Sequence, residues 1–251
     1  MKAMILAAGL GTRLRPLTDT RPKALVEIQD RTLLEITLTR LRSFGITEAI
    51  INVHHFADLV ESYLKSRNNF GMRLELSRED DLLLDTGGGL KKAAWFFLEN
   101  SDGLDDPFLL HNVDVISTID LAAMLQFHAE HQALATLAVQ SRESSRQLLF
   151  NSQGQLSGRR TDTNDQKIVI PGGARNLLHP QAFSGIHIIS PRLLPQLTET
   201  GPFSIIDAYL RLAAQGAKIL AFRHDNSDWR DLGKPADLAQ AALDLEKGTR
   251  L

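Results

Sequence analysis

The chain has 251 residues, and its 28 basic and 30 acidic side chains give a formal charge of −2. An apolar fraction of 43% excludes a disordered chain, and the nearly balanced charge argues against a dedicated DNA-binding module. Cysteine is absent, which excludes disulfides, thiolate zinc sites and a cysteine nucleophile. The sequence shows neither a signal-peptide pattern nor an apolar run long enough to span a membrane, so we expect a cytoplasmic location and no membrane partner.

Hydrophobic periodicity predicts that strands and helices alternate along the first part of the chain. The predicted strands cover residues 4–8, 49–53, 72–76, 107–112 and 133–139. The predicted helices cover residues 32–44, 57–67, 90–98 and 121–131. This alternation implies right-handed crossovers and an α/β fold, with a mostly parallel sheet that helices cover on both faces.

The pattern changes in the middle of the chain. Small and polar residues between short apolar pieces predict hairpins and loops at 141–180 rather than strand–helix units. Beyond them we expect strands at 183–189 and 217–222 and helices at 205–214 and 235–245. No linker divides the sequence, so we predict one domain with an inserted middle region.

The most informative segment follows the first predicted strand. It reads LAAGLGTRLRPLT over 6–18 and continues as RPKAL over 21–25. Its two glycines let backbone N–H groups approach an anion closely. Four cations lie within eleven residues, namely Arg13, Arg15, Arg21 and Lys23. Because the segment leaves the carboxyl end of a strand, where open α/β sheets bind ligands, the combination suits a polyphosphate. It is neither a Walker loop nor a dinucleotide fingerprint, which would have a third glycine where Leu14 stands.

This segment resembles the signature of the sugar-1-phosphate nucleotidyltransferases, also called nucleoside-diphosphate-sugar pyrophosphorylases. The signature reads Leu-x-x-Gly-x-Gly-x-Arg-Leu-x-Pro-Leu-Thr, followed by Pro-Lys-x-Leu. The matching residues are Leu6, Gly9, Gly11, Arg13, Leu14, Pro16, Leu17, Thr18, Pro22, Lys23 and Leu25. The compact length is similar to that of the N-acetylmuramate-1-phosphate uridylyltransferase and mannose-1-phosphate guanylyltransferase branches. The resemblance implies a Rossmann-like sheet with an inserted β-rich sugar-binding region, the nucleotide-diphospho-sugar transferase fold.

The resemblance also implies a reaction and a division of the chain. A nucleoside triphosphate and a sugar 1-phosphate would give a nucleoside-diphosphate sugar and pyrophosphate, with Mg²⁺ as cofactor and no nucleic-acid partner. About 1–140 would bind the nucleotide, about 141–235 would bind the sugar and supply the second metal ligand, and 236–251 would form a C-terminal helix. We expect a monomer or a simple homodimer.

Two carboxylates are the candidate magnesium ligands. Asp114 follows the strand at 107–112, where a carboxylate beside a phosphate loop can coordinate Mg²⁺. Asp231 stands in the segment WRDLGKP, 117 positions further on, so spacing cannot show that the two meet. The resemblance supplies that step, because family members share the metal between two such aspartates. It also implies that Arg13 holds the β and γ phosphates and that Lys23 holds the α phosphate, which completes the candidate catalytic set.

The resemblance assigns further residues to the nucleotide. The full candidate set is Leu6, Ala8, Gly9, Gly11, Thr12, Arg13, Lys23, Gly87, Gly88, Asn112 and Asp114. Gly87 and Gly88 would let the nucleobase lie against backbone amides, and Asn112 would contact the ribose or the base.

The candidate sugar-phosphate residues lie later in the chain. Ser184 and Gly185 fall on a strand that resembles the family's sugar pocket. The Glu-Lys-Pro element that supplies a lysine in many relatives is not present, so Lys167, Arg159 and Arg160 are the alternatives for this contact.

Two other functions stay open at this point. One is a cytidylyltransferase that acts on a non-sugar phosphate, such as phosphocholine or an inositol phosphate. The other is a catalytically silent sensor of nucleotide sugars, against which the presence of Lys23, Asp114 and Asp231 argues.

Overall fold

The computed structural model describes residues 1–99, 106–161, 166–169 and 178–246, with the backbone alone for 166–169 and 245–246. The strands are β1 Ala3–Leu6, β2 Glu27–Ile28, β3 Arg31–Thr32, β4 Glu48–Val53, β5 Arg73–Arg78, β6 Phe108–Asn112, β7 Val115–Ser117, β8 Ala135–Gln140, β9 Arg146–Phe150, β10 Leu156–Thr161, β11 Gln166–Val169, β12 His179–Ile189, β13 Ile219–Arg223 and β14 Trp229–Asp231. The α-helices are α1 Leu33–Ser43, α2 Ala57–Ser66, α3 Asp85–Lys92, α4 Ala94–Leu98, α5 Leu121–Glu130, α6 Ile205–Ala214 and α7 Pro235–Glu246.

The central part of the main sheet has the strand order β5-β4-β1-β6-β12-β8-β13. The pairs β4–β5, β1–β4, β1–β6 and β8–β13 are parallel, whereas β12 is antiparallel to both of its neighbours, β6 and β8. Six of these seven strands therefore run in the same direction. The mostly parallel central sheet predicted from the sequence is confirmed.

The inserted β-rich region grows from one end of β12. This strand has eleven residues, pairs with β9 at its first three residues, pairs with β8 from Ala182 onward, and pairs with β6 at its last four residues. Beyond β9, the strands β10 and β11 continue as antiparallel neighbours. The hairpins predicted for 141–180 are thus present in the described part of that range, and they extend the central sheet.

Two apolar cores cover the two faces of the sheet. Alternate residues of a strand point to opposite faces, so Ala3 and Ile5 pack with α1, α2, α5 and α7, whereas Met4 packs with α3, α4 and α6. The predicted helices on both faces are confirmed. Among the described residues, no helix is long and apolar enough to cross a membrane.

The structure differs from the predicted elements at the glycine triplet and at four short strands. The predicted helix at 90–98 is two helices, and the glycine triplet lies inside α3, which begins at Asp85. Glycine disfavours a helix interior, and here close packing compensates, because a Cβ on Gly87 would lie 2.9 Å from the carbonyl oxygen of Phe203. The strands β2, β3, β7 and β14 were not predicted, because two or three residues are too few to show a period of two.

Candidate active site

The glycine loop folds back on itself between β1 and the short 3₁₀ helix Lys23–Leu25. Gly11 has a φ of 63°, and a Cβ at this position would lie 2.9 Å from the Thr18 Cγ2 atom and 3.3 Å from the Lys23 Cβ atom. The Thr18 hydroxyl donates a hydrogen bond to the Gly11 carbonyl at 2.9 Å. Gly11 therefore allows the tight approach that returns Lys23 to the sheet edge.

Lys23 forms an ion pair with Asp114 at this edge. The parallel pairing of β1 with β6 sets Leu6 beside Asn112, so the loop and the Asp114 segment leave the sheet side by side. The two charged side chains are 12% and 15% exposed. Because so little water screens them, their attraction is stronger than that of a surface ion pair.

Asp231 reaches the same point from the far end of the chain. The pairing of β14 with β7 sets Asp231 opposite Val115, and the Leu232 N–H donates to the Asp114 carbonyl at 2.8 Å. The side chains of Asp231 and Asp114 are in hydrogen-bonding contact. Burial raises the pKa of Asp231 above its ordinary value, the Asp114 carboxylate raises it further, and Lys23 opposes the increase. Two carboxyl groups in contact form a site that a cation would stabilise.

Arg13 completes this group of four predicted catalytic residues. Its guanidinium lies 3.8 Å from an Asp231 carboxylate oxygen, and the Gly233 N–H donates to the other oxygen at 2.8 Å. The described residues contain no group of three or more His, Asp or Glu side chains that could hold a metal. Asp114 and Asp231 could hold Mg²⁺ only together with water or phosphate oxygens, which is how Mg²⁺ commonly binds at nucleotide sites.

A cavity of about 330 Å³ opens beside Lys23 at the carboxyl ends of β1 and β6. The predicted nucleotide residues that line it are Leu6, Ala8, Gly9, Lys23, Asn112 and Asp114. Gly11 and Thr12 do not line it, and Arg13 lines a neighbouring cavity of about 360 Å³ together with Asp231. The sequence reasoning missed six other lining residues, which are Ala7, Asn52, Leu83, Asp85, Thr86 and Val113.

The predicted contact of a nucleobase with the amides of Gly87 and Gly88 is wrong. Both N–H groups already donate to the Phe203 carbonyl, at 2.9 and 3.3 Å, and both glycines are buried. A Cβ on Gly88 would also lie 2.8 Å from the Gly201 carbonyl oxygen. These glycines serve the packing of α3, and the two preceding residues face the cavity instead.

A second cavity, of about 530 Å³, adjoins the first through Asp85, Thr86 and Asn112, which line both. Arg159 and Arg160 line it, as does Arg146. The guanidinium of Arg159 donates to Asp207 at 2.5 Å, and that of Arg160 donates to Gln147 at 2.5 Å. The side chain of Lys167 lies outside the described residues.

Ser184 and Gly185 do not line this cavity, contrary to the expectation from the sequence. The buried Ser184 hydroxyl is paired with His224 Nε2 at 2.8 Å. Gly185 has a φ of 74°, and a Cβ there would lie 2.8 Å from the Asn112 side-chain nitrogen. Gly185 therefore makes room for Asn112, which stands between the two cavities.

Arg142 is a charged residue of the site that no sequence signal identified, since it stands in a polar stretch without a motif. Its guanidinium lies 3.7 Å from the ring centre of Trp229 and donates to the Phe183 carbonyl at 2.8 Å. Burial lowers the pKa of Arg142, and the nearby Asp231 carboxylate opposes this. Arg142 thus adds positive charge beside the two aspartates.

Comparison with known proteins agrees with this geometry. Residues 2–148, more than half of the chain, match the profile of the family described as nucleotidyl transferase. The N-acetylmuramate alpha-1-phosphate uridylyltransferase of Caulobacter vibrioides is 36% identical over 226 residues, which cover 85% of each chain. The UTP–glucose-1-phosphate uridylyltransferase of Synechocystis is 31% identical over 96% of this chain, and the alignment spans 62% of that relative's length.

A solved structure supports the fold. The UDP-glucose pyrophosphorylase from Acinetobacter baumannii superposes with a TM-score of 0.76 at 20% identity, covering 99% of this chain and 94% of that one. The chain therefore belongs to the nucleotidyl transferase family. The resemblance to sugar-1-phosphate nucleotidyltransferases that its glycine loop indicated is confirmed.

Proposed function

We propose that the protein transfers a nucleotidyl group from a nucleoside triphosphate to a sugar 1-phosphate and releases pyrophosphate. The observation that carries this proposal is that Lys23 and Asp114, which line the first cavity, lie with Asp231 at the sheet edge, and that Asp114 stands two residues beyond Asn112, which lines both cavities. A nucleotide in the first cavity and a sugar phosphate in the second would bring the two phosphates to this point.

Charge dictates the chemistry of this arrangement. Two anions must approach in line, so holding them close and neutralising their charge removes much of the barrier. Lys23 would hold the α phosphate, and Arg13 would stabilise the leaving pyrophosphate. A phosphate nucleophile is already ionised, so the reaction needs no general base, and none is assigned.

Asp114 and Asp231 would hold Mg²⁺. The chemical fit is the contact between two carboxyl groups, one of which has a raised pKa because it is buried beside the other. When bound, the ion would supply charge neutralisation at the reacting phosphates. Lys23 would then share Asp114 with the metal and keep its own ammonium directed toward the phosphates.

The identity of the nucleotide and the part of the chain that binds each substrate can also be proposed. We favour a uridylyl transfer, because the relatives from Caulobacter and Synechocystis are both uridylyltransferases by name. The assignment of about 1–140 to the nucleotide and about 141–235 to the sugar follows the residues that line each cavity. A cytidylyl transfer to a non-sugar phosphate is the alternative that the experiment must exclude.

The test is pyrophosphate release from a panel of UTP, GTP, CTP and dTTP, each with sugar 1-phosphates or with phosphocholine and inositol phosphate. We expect release with a uridine nucleotide and a sugar 1-phosphate, and loss of release when EDTA removes Mg²⁺. Release only with CTP and a non-sugar phosphate would support the cytidylyl alternative. Binding of nucleotide sugar without any release would support the sensor.

A further inference from the structure

A buried polar pair connects the two walls of the first cavity. Asn52, on β4, is 3% exposed, and Glu79, directly after β5, is 1% exposed. The Asn52 Nδ2 group donates to Glu79 Oε1 at 2.8 Å. The remaining oxygen of each side chain accepts a hydrogen bond from a backbone N–H group. Asn52 Oδ1 accepts from Ala7 and Glu79 Oε2 accepts from Leu84, both at 2.8 Å.

These two backbone groups belong to opposite walls of the cavity. Ala7 lies in the wall formed by 6–9, and Leu84 stands between two residues of the wall formed by 83–86. A continuous series of three hydrogen bonds therefore joins the walls from one N–H to the other. Glu79 is itself fixed, because its own N–H donates to the Val53 carbonyl at 2.7 Å.

We propose that the Asn52–Glu79 pair is a positioning device that sets the spacing of the two walls and thereby the affinity for the nucleotide. This inference rests on the proposed function for its ligand, a nucleoside triphosphate. It concerns residues that the glycine signature does not include.

The electrostatics of the pair support a role beyond packing. Among the described residues, no Lys or Arg lies within ion-pair distance of Glu79, so neutral N–H donors alone satisfy this buried carboxylate. Burying a charge without a counter-charge is costly. An apolar pair would avoid that cost but would leave the Ala7 and Leu84 N–H groups without their present acceptors.

Gly89 provides a second observation. A Cβ at this position would lie 2.8 Å from both Asn52 Nδ2 and Glu79 Oε1. The helix α3 therefore rests directly on the hydrogen bond between them. Because α3 begins at the wall that carries Leu84, the pair holds the start of this helix as well as the wall.

The test exchanges the amide and the carboxylate between the two positions. In Glu79→Gln, the new NH2 group must point either at the Asn52 NH2 group or at the Leu84 N–H. In both cases two hydrogen-bond donors face each other without an acceptor. In Asn52→Asp, two carboxylates face each other. In the double variant, the carboxylate at 52 accepts from Ala7 and from the amide at 79, whose oxygen accepts from Leu84. All three hydrogen bonds return with the net charge unchanged.

The readout is calorimetric binding of UTP, GTP and CTP alone, which requires no turnover. We expect each single variant to raise the Kd of the bound nucleotide about tenfold, because a wall released by the lost hydrogen bond must be ordered again when the nucleotide binds. The double variant should return to within about threefold of the original chain. The KM of the sugar phosphate should stay unchanged in all three, since the pair does not line the second cavity.

Thr136→Val is the matched control. Thr136 is buried on β8 and pairs with His128 Nδ1 at 2.9 Å, so its loss also removes a buried hydrogen bond, outside both cavities. It should lower thermal stability without changing the nucleotide Kd.

Three results would overturn the inference. They are a double variant that binds no better than the single ones, a sugar-phosphate KM that rises as much as the nucleotide Kd, and an equal effect of Thr136→Val on the Kd. If Glu79→Gln does not fold, recovery of folding and binding in the double variant supports the inference and its absence overturns it. A chain that binds nucleotide but releases no pyrophosphate contradicts the proposed function alone, because the binding comparison is unaffected.

Discussion

The first and second cavities are formed by different kinds of structure. The first cavity lies at the ends of the parallel strands β1 and β6, and small residues of the glycine loop form one of its walls. The second is built from side chains of the antiparallel strands β9 and β10, where Arg160 and Gln147 pair across the strands. Asp114 lines the first cavity, and Asp231 lines the neighbouring cavity of Arg13.

This difference explains why one cavity can be recognised in a sequence and the other cannot. A backbone cradle needs glycines and short spacings within a single segment, so it leaves a local signature. A side-chain cavity depends on which residues face each other across strands, and a shift of one residue in register reverses every side chain. Substitutions can test whether a change in one cavity leaves binding in the other unchanged.

The largest effect is expected at Asp114, which lines the first cavity. Asp114→Asn removes a charge that pairs with Lys23 and would hold the metal, so kcat should fall about a thousandfold or more. The measurement is steady-state pyrophosphate release, with circular dichroism to confirm folding. Asp228→Asn, an exposed aspartate one residue before β14, is the control and should keep its activity. A folded Asp114→Asn variant with near-normal kcat would show that Asp114 has no part in the mechanism.

The next largest effect is expected at Lys23, on the nucleotide side. Lys23→Gln removes one positive donor from the α phosphate, so kcat/KM for the triphosphate should fall about a hundredfold. Lys218→Gln is the control, because Lys218 lies in the turn between α6 and β13, lines neither the first nor the second cavity, and among the described residues donates its ammonium to the His131 carbonyl alone. Kinetics with varied triphosphate check this. An unchanged kcat/KM would show that the ion pair with Asp114 is structural.

A smaller effect confined to the second cavity is expected at Arg160. Arg160→Gln removes a cation from the second cavity, so the KM of the sugar phosphate should rise about tenfold while the nucleotide Kd stays constant. Arg223→Gln, whose partner Asp225 lines neither the first nor the second cavity, serves as the control. Equal changes in the sugar-phosphate KM and the nucleotide Kd would show that the two cavities do not act separately.

The smallest effect is expected where β6 and β12 meet beneath the cleft. Burial lowers the pKa of His187 from 6.5 to about 3, and His111 lowers it further. The unfolded chain therefore takes up a proton below pH 6.5 that the folded chain does not, so the free energy of unfolding falls as the pH falls. His187→Asn should reduce this fall by about 1 kcal/mol per pH unit between pH 6 and 4.

Urea unfolding at a series of pH values measures this slope. The original chain and the variant should differ little at pH 7.5, apart from a constant offset for the lost contact with Tyr209. Parallel slopes in acid would contradict the burial of a neutral His187.

The sequence predicted most of the central sheet because strongly apolar runs leave few alternatives. It also predicted the contact of Asp114 with Asp231, although only through a family resemblance, since 117 positions separate them. It failed at Gly87 and Gly88, where the deciding neighbour, Phe203, is distant in the chain. It missed Asn52 and Glu79 as well, because a buried polar pair on two strands has no local pattern.

The short pairing of β14 with β7 has a consequence for how the protein is made. A ribosome delivers the glycine loop and Asp114 well before it delivers Asp231, which joins them only when β14 pairs with β7. A growing chain therefore lacks one of the two carboxylates during much of synthesis. The catalytic group can be completed only after the three-residue strand β14 has been synthesised and has paired with β7. Its assembly is therefore a late step of folding.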